Sequence, residues 1–456
     1  MHDVIVIGCG PGGYAAAIRA AQLGGKVAVV EAAETGGTCV NRGCIPAKVW
    51  HQAASILQTL GKAEAFGIQT TGRTVELKTI AERKSGVSAE IRMGMEGLLA
   101  NNGIEVTRGK AALRSAREIA VDGAVREAGK IILATGGALL MPDVPGLKDA
   151  LLTTDQVFDM SEVPASVLVW GAGFVEVEMA NILNAFGAKV TVATDAARIL
   201  PREDHDTSQR VGQVLREQGV EIAARVGLEA VEKSPSGFVC RLGGPKERVV
   251  EAARVLVASR RPHTAGLGLE GLGMAFQPDG GIRVDERLET SVKGVYAVGD
   301  CTGGWMLSHA ASAMGIVAAE NAMGQDSRFP FHLIPRASWT SPEVGAVGLS
   351  EEEAEKQGKE IEVGLFPYAI NGLAMCRNQV EGAVKVIADA KYGEILGVHI
   401  VGSQATELVG EAVLAMQLEC TAREFARSIR VHPTFSEAVV DAARDAEKWA
   451  LYLPKR

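Results

Sequence analysis

Aromatic side chains make up only 5% of this chain, and no stretch of it approaches the roughly 20 consecutive apolar residues that a membrane-spanning helix needs. Basic residues are also in deficit. With 47 Lys and Arg against 55 Asp and Glu, the net charge of -8 offers no electrostatic footprint for nucleic acid. Cysteines are scarce and odd in number, seven in 456 residues, which argues against a secreted framework of paired disulfides. The N-terminus starts almost at once with Asp3-Val4-Ile5-Val6-Ile7 and lacks the basic stretch and small-residue cleavage site of a signal peptide. The expectation is a cytoplasmic protein that engages neither membrane nor nucleic acid. Its length and its 47% hydrophobic content suffice for several domains with a substantial core.

Glycine is plentiful, at 53 residues, as in architectures with many tight strand-to-helix turns. Val4 to Ile7 is a short apolar run typical of a parallel strand buried on both faces, and it enters Gly8-Cys9-Gly10-Pro11-Gly12-Gly13. A helix is predicted from Ala15 to Leu23, a stop at Gly24-Gly25, and a second strand from Lys26 to Val30 that closes on Glu31. This is a complete dinucleotide-binding unit. Gly8 serves the tight turn, Gly10 the close approach of a pyrophosphate, Gly13 the packing of the helix, and Glu31 accepts from a ribose hydroxyl.

The most unusual stretch follows, Gly36-Gly37-Thr38-Cys39-Val40-Asn41-Arg42-Gly43-Cys44-Ile45-Pro46-Ala47-Lys48. An ideal helix turns by about 100° per residue, so residues five apart face well away from each other. Bridging them requires a distortion, and Gly43 and Pro46 offer places for one. A disulfide closing so short a loop removes little chain entropy, and strain makes it easier to reduce. Such a pair is a poor staple and a good redox switch, the alternative being two small buried hydrophobes.

A second unit opens at Ser166 to Trp170, with Gly171-Ala172-Gly173, a helix to about Phe186, a stop at Gly187 and a strand from Lys189 to Ala193. Two residues break its pattern. Glu176 stands where the third glycine belongs, and Thr194 where the strand-end acid belongs, with Asp195 one place late. Between the units lie a helical pattern from Ser88 to Leu99, strands at Ile104 to Val106 and Lys130 to Ala134, and a boundary at Pro145-Gly146. Further on, Val295 to Val298 runs into a Gly299-Asp300 turn that can present an acceptor to a ligand hydroxyl. After Pro335, alternating strands such as Gly382 to Ala388 and Ile395 to Ile400 suggest a separate domain. Near its end, His432-Pro433-Thr434 precedes a helix predicted from Ala438 to Leu451.

Two dinucleotide units, a CxxxxC between them, a Gly-Asp turn and a late His-Pro-Thr, in that order over the whole chain, resemble the flavoprotein disulfide oxidoreductases. Gly37 to Lys48 and His432 to Ala438 are most similar to the dihydrolipoamide dehydrogenase branch. The resemblance implies an α/β fold of two Rossmann-like domains plus a C-terminal α+β dimerisation domain. The chain would divide into residues 1–145 and 266–335 for FAD, 146–265 for NAD(P), and 336–456 for the dimer interface. It implies that Gly8, Gly10, Gly13 and Glu31 hold FAD, with Asp300 on its ribityl or pyrophosphate portion. Cys44 would be the sulfur against the flavin and Cys39 the outer sulfur that exchanges with substrate. Lys48 would lie near the flavin and pair with Glu178. His432, oriented by Glu437, would be the acid/base for the thiol, arriving from the partner of an obligate homodimer. Thr434-x-x-Glu437 also has the form of a capping box for the helix that follows.

Gly171, Gly173 and Glu178 would belong to the NAD side, where the sequence departs from the family. A carboxylate at Glu176 about 4 Å from a pyrophosphate charge, at an effective dielectric of about 20, repels it by roughly 4 kcal/mol. Thr194 in place of an acid forgoes a charge-assisted hydrogen bond worth about 1.5–3 kcal/mol. The turn Val257 to Pro262 lacks the family's usual glycine, and Met314 stands before Gly315 in place of an acid. The first expectation is a dihydrolipoamide dehydrogenase that moves electrons between a lipoyl-bearing protein, or a small dithiol or disulfide, and NAD. The alternative is a flavoenzyme with an impaired nicotinamide site that uses oxygen, a quinone or another protein. A flavin-bearing scaffold without catalysis is the third.

Overall fold

The computed structural model of the chain describes residues 1–456 apart from Arg73 and Arg456. β1 (His2–Ile7) lies at the centre of a seven-stranded sheet, parallel to β2 (Val27–Glu31) on one side and to the strand Ala124–Leu133 on the other. β3 (Glu105–Arg108) extends the sheet beyond β2, and Val295–Ala297 returns to pair in parallel with Ala124–Leu133. Val4, Ile5 and Val6 are completely buried, because both faces of the sheet are covered, and this explains their unbroken apolar sequence.

α1 (Pro11–Gln22) starts earlier than the expected Ala15. Pro11 at its first position brings a helical φ and has no N–H to leave unbonded. α1 packs along the helix Ser308–Ala322, so a segment some 300 residues away is laid beside the first turn. The helix expected over Ser88 to Leu99 is the C-terminal half of α4 (Leu77–Asn101).

The second unit is a five-stranded parallel sheet in the order Glu221–Ala224, Lys189–Thr194, Ser166–Trp170, Arg254–Val257 and Leu151–Leu152. Its helix, Phe174–Ala185, ends within a residue of the expected point. Arg260–Pro262 pairs antiparallel with Gly137–Leu139, tying the second unit to the first.

The C-terminal region is a five-stranded antiparallel sheet, running Arg336–Ser338, Val344–Gly348, Ile395–Val401, Ala383–Asp389 and Ile361–Pro367. The last helix spans Ser436–Ala446 and stops short of the predicted Leu451, since Lys448 turns into the left-handed region at φ 62°. Among the described residues, no helix is long and apolar enough to cross a membrane.

Candidate functional site

The CxxxxC stretch folds as two helices. α2 (Gly37–Arg42) carries Cys39, and α3 (Cys44–Gly61) begins at Cys44, with Gly43 between them at φ −136° and ψ −108°. This break brings together two residues that a continuous helix would point apart. Pro46 distorts nothing, because it falls in the first turn of α3, where an N–H has no helical acceptor to lose. Asn41 secures α2: its Nδ2 donates to the carbonyls of Thr35 (3.0 Å) and Gly37 (2.9 Å), and Arg92 of α4 donates to its Oδ1 (2.8 Å).

Cys39 and Cys44 stand as free thiols that share a hydrogen bond. That bond splits their acidities. The hydrogen bond from Cys39, helped by Ser308 and the charge of Lys48, outweighs burial and brings the Cys44 thiol down to about 6. Cys39, as donor of the shared bond and also by burial, is pushed up. Cys44 is therefore the sulfur disposed to be a thiolate at neutral pH. Ser308, the first residue of its helix, places Oγ 3.1 Å from Cys44 Sγ.

One turn along α3, Lys48 Nζ donates to Glu178 Oε2 (2.9 Å) and lies 3.8 Å from the centroid of the Trp339 ring. Glu178 is itself fixed, its Oε1 accepting from the Trp339 N–H at 3.0 Å. Glu178 thus stands with Lys48 at the cysteines, although it shares a helix with the second glycine turn.

These groups line a cavity of about 690 Å³ that also holds Gly8, Gly10, Gly12, Glu31 and Asp300. The first unit fits a dinucleotide here. The N-terminus of α1 has no side-chain cap, and a Cβ on Gly10 would meet nothing nearer than Gly37 Cα at 4.0 Å, so the turn leaves open room. A Cβ on Gly13 would lie 1.9 Å from the Gly8 carbonyl oxygen, which requires glycine at this helix-to-strand contact. Glu31 accepts from the N–H groups of Cys9 (2.6 Å) and Ala33 (2.7 Å), leaving carboxylate lone pairs for a ribose hydroxyl. Asp300 faces the cavity, its acidity weakened by burial, while Arg260 partly offsets the effect. Arg260 Nε is buried with no hydrogen-bond partner among the described residues.

The second glycine turn differs. Gly171 and Gly173 occupy the positions of Gly8 and Gly10, but the buried Glu176 side chain lies against both. Its Oε1 accepts from Ser259 Oγ at 2.6 Å, and burial pushes its carboxyl pKa up. Thr194 turns inward and accepts from the Ala196 N–H (3.1 Å), while Asp195 is exposed.

His432 is absent from the cavity of its own chain and its side chain is 78% exposed. Its Nδ1 lies 2.9 Å from Glu437 Oε1, and Glu437 Oε2 accepts from the Thr434 N–H at 2.8 Å. The carboxylate thus serves both suggested contacts, but the capping box is only half formed. The helix takes Phe435 as N-cap, and Thr434 Oγ1 donates to the Val431 carbonyl.

Sequence reasoning missed Ser308 and Trp339. Neither lies in a motif, and only the helix and sheet packing bring them to the cysteines. Ser259 did leave a signal, as the turn without its glycine.

The chain matches the family described as pyridine nucleotide-disulphide oxidoreductase over residues 2–315, and that family's dimerisation domain over residues 334–443. It is 40% identical to a dihydrolipoyl dehydrogenase of Thermus scotoductus, covering 100% of this chain and 99% of the relative. It is 36% identical to leghemoglobin reductase of Glycine max, covering 97% and 87%. Among solved structures, LpdA from Mycobacterium tuberculosis superposes with a TM-score of 0.88 at 26% identity, over 97% of this chain and 99% of that one. The HOCl-induced flavoprotein disulfide reductase RclA of Escherichia coli gives 0.85 at 26%, over 97% and 99%.

Proposed function

The chain belongs to the pyridine nucleotide-disulphide oxidoreductase family, and from that premise we propose that its substrate is the dihydrolipoyl group of a carrier protein or a small dithiol, oxidised at Cys39 and Cys44. The chain is a FAD-dependent disulfide oxidoreductase. One observation carries the reading. The thiol pair, split in acidity and set across the break at Gly43, shares one cavity with a glycine turn and a strand-end carboxylate suited to a dinucleotide.

In the oxidised enzyme a substrate thiolate attacks Cys39 Sγ, the Cys39–Cys44 bond breaks, and Cys44 leaves as the thiolate. The second substrate thiolate then attacks the mixed disulfide and releases Cys39, so that the substrate is oxidised to a disulfide and the enzyme pair gains two electrons. Ser308 and Lys48 favour Cys44 as leaving group, since both stabilise its negative charge. His432, held at Nδ1 by Glu437, takes the proton from the incoming thiol with its other nitrogen, and reaches Cys39 from a second copy of the chain. The dimerisation domain and the exposure of His432 support that arrangement. FAD would be held by Gly8, Gly10, Gly13, Glu31 and Asp300 and, when bound, would supply the two-electron acceptor for the dithiol. The acceptor after it is NAD in this reading, and the exchange takes place in the cytoplasm. The second reading, an acceptor other than NAD, is favoured by Glu176 lying in the second glycine turn.

The test is anaerobic addition of dihydrolipoamide to the flavin-loaded protein, followed by NAD. A long-wavelength absorption band should appear on the first addition, and NAD should discharge it with formation of NADH. Absence of the band sinks the proposed thiol substrate. A band that NAD leaves untouched selects the second reading.

A further inference from the structure

Glu176, which stands where the third glycine of the second unit belongs, touches Ser259 in the turn Val257 to Pro262, which lacks its usual glycine. Ser259 Oγ donates to Glu176 Oε1 at 2.6 Å, across 83 residues of sequence. The carboxyl group they hold lies on the glycine turn itself. A Cβ on Gly171 would come within 2.9 Å of Glu176 Cγ and 3.1 Å of its Oε1, and one on Gly173 within 2.8 Å of its Oε2. In the first unit the matching space beside Gly10 is open. Glu176 sits in the first turn of the helix Phe174–Ala185, where its carboxyl faces the backbone N–H groups of Gly173 and of Glu176 itself. Those are donors that a dinucleotide pyrophosphate uses at such a turn.

We propose that Glu176 is an internal occupant of the second dinucleotide turn, latched by Ser259, so that a nicotinamide dinucleotide enters only by displacing it. This rests on the reading of the second unit as the nicotinamide side, and names what governs access to it. The latch works in either charge state of the carboxyl. Ionised, it repels the pyrophosphate; neutral, it still fills the space and occupies the donors. Thr194, committed to the Ala196 N–H, offers only a neutral acceptor at the strand end, so it gives little to offset that cost.

The test is the affinity of the flavin-loaded protein for NADH and NAD by calorimetry, in the wild type and in Glu176→Gly/Ser259→Gly, Glu176→Gln and Ser259→Ala. The double variant is expected to bind roughly a hundredfold to a thousandfold more tightly than the wild type. Glu176→Gln, which keeps the bulk and loses the charge, should fall between them. Ser259→Ala, the mildest change, should gain about tenfold by freeing the carboxyl to swing out. Wild-type affinity in a folded double variant overturns the proposal. If the double variant does not fold, unchanged affinity in Ser259→Ala overturns it. The absorption band with dihydrolipoamide is read on the same samples. Its loss in the wild type would discredit the thiol substrate, while the order of NADH affinities would still decide for or against the latch.

Discussion

Ser308 Oγ lies 3.1 Å from Cys44 Sγ, closing a contact between residues 264 apart in the chain. A hydroxyl there stabilises the thiolate more than the thiol, because a hydrogen bond to a charged acceptor is the stronger one. Ser308→Ala should therefore raise the pH at which Cys44 ionises by roughly one unit. The measurement is the pH profile of alkylation of the reduced protein. An unmoved profile means that the serine faces the sulfur without influencing it.

Lys48 and Glu178 should act on the same profile with opposite signs. The ammonium of Lys48 lowers the Cys44 pKa and the carboxylate of Glu178 raises it. Lys48→Met should move the alkylation profile to higher pH. Glu178→Gln, which can still accept from the Trp339 N–H, should move it lower. Shifts in the same direction would show that the pair acts through packing and not through charge.

His432→Gln should slow thiol–disulfide exchange by about 10²–10⁴, the usual worth of a placed acid/base. Glu437→Gln should slow it less, by roughly tenfold, since the imidazole remains but loses its orienting charge. Co-expression of a Cys44→Ser chain with a His432→Gln chain checks where the histidine acts. If it crosses to the neighbouring subunit, hybrid dimers have one intact site and regain activity. Activity no higher than in the separate variants would place His432 elsewhere.

Acid should weaken the fold at a cluster that joins the second unit to the C-terminal sheet. Lys385 Nζ contacts Asp204 (2.9 Å), Asp206 (2.7 Å) and Glu351 (2.8 Å) beside the buried His399. Burial, reinforced by the charge of Arg336, brings His399 down from 6.5 to about 4. Between those values the unfolded chain binds a proton that the folded one refuses. Stability should then be full above pH 6.5 and decline toward pH 4, by up to roughly 3 kcal/mol from this residue. For Asp204, burial would raise the pKa, but His399 and Lys385 outweigh it and hold it low, so protonation on acidification costs stability in the same sense. Denaturant titrations of His399→Gln from pH 7 to 4 should show a flatter decline; an equal slope would exonerate the histidine.

The strands of the first unit were legible almost residue by residue, as was the strand Ser166–Trp170, because each depends on backbone preferences within a few neighbouring positions. The helix boundaries were less so. Pro11 extended α1 and Lys448 cut short the last helix, both through single-residue φ values that apolar periodicity does not reveal.

The sequence by itself determined that two cysteines five apart follow a dinucleotide turn, with Gly43 and Pro46 as places for a distortion, and that the second turn departs from the glycine pattern at Glu176 and Thr194. Tertiary structure alone decided what those residues touch. Glu176 meets Ser259 because Arg254–Val257 pairs beside Ser166–Trp170 and so carries the following turn to the head of the helix that bears Glu176. Ser308 and Glu178 reach the α3 cysteine and lysine through the packing of distant helices. Local sequence fixes the turns, since backbone torsions are set by near neighbours. The meeting of side chains across 83, 130 and 264 residues is set by strand order and helix packing, which no local pattern encodes.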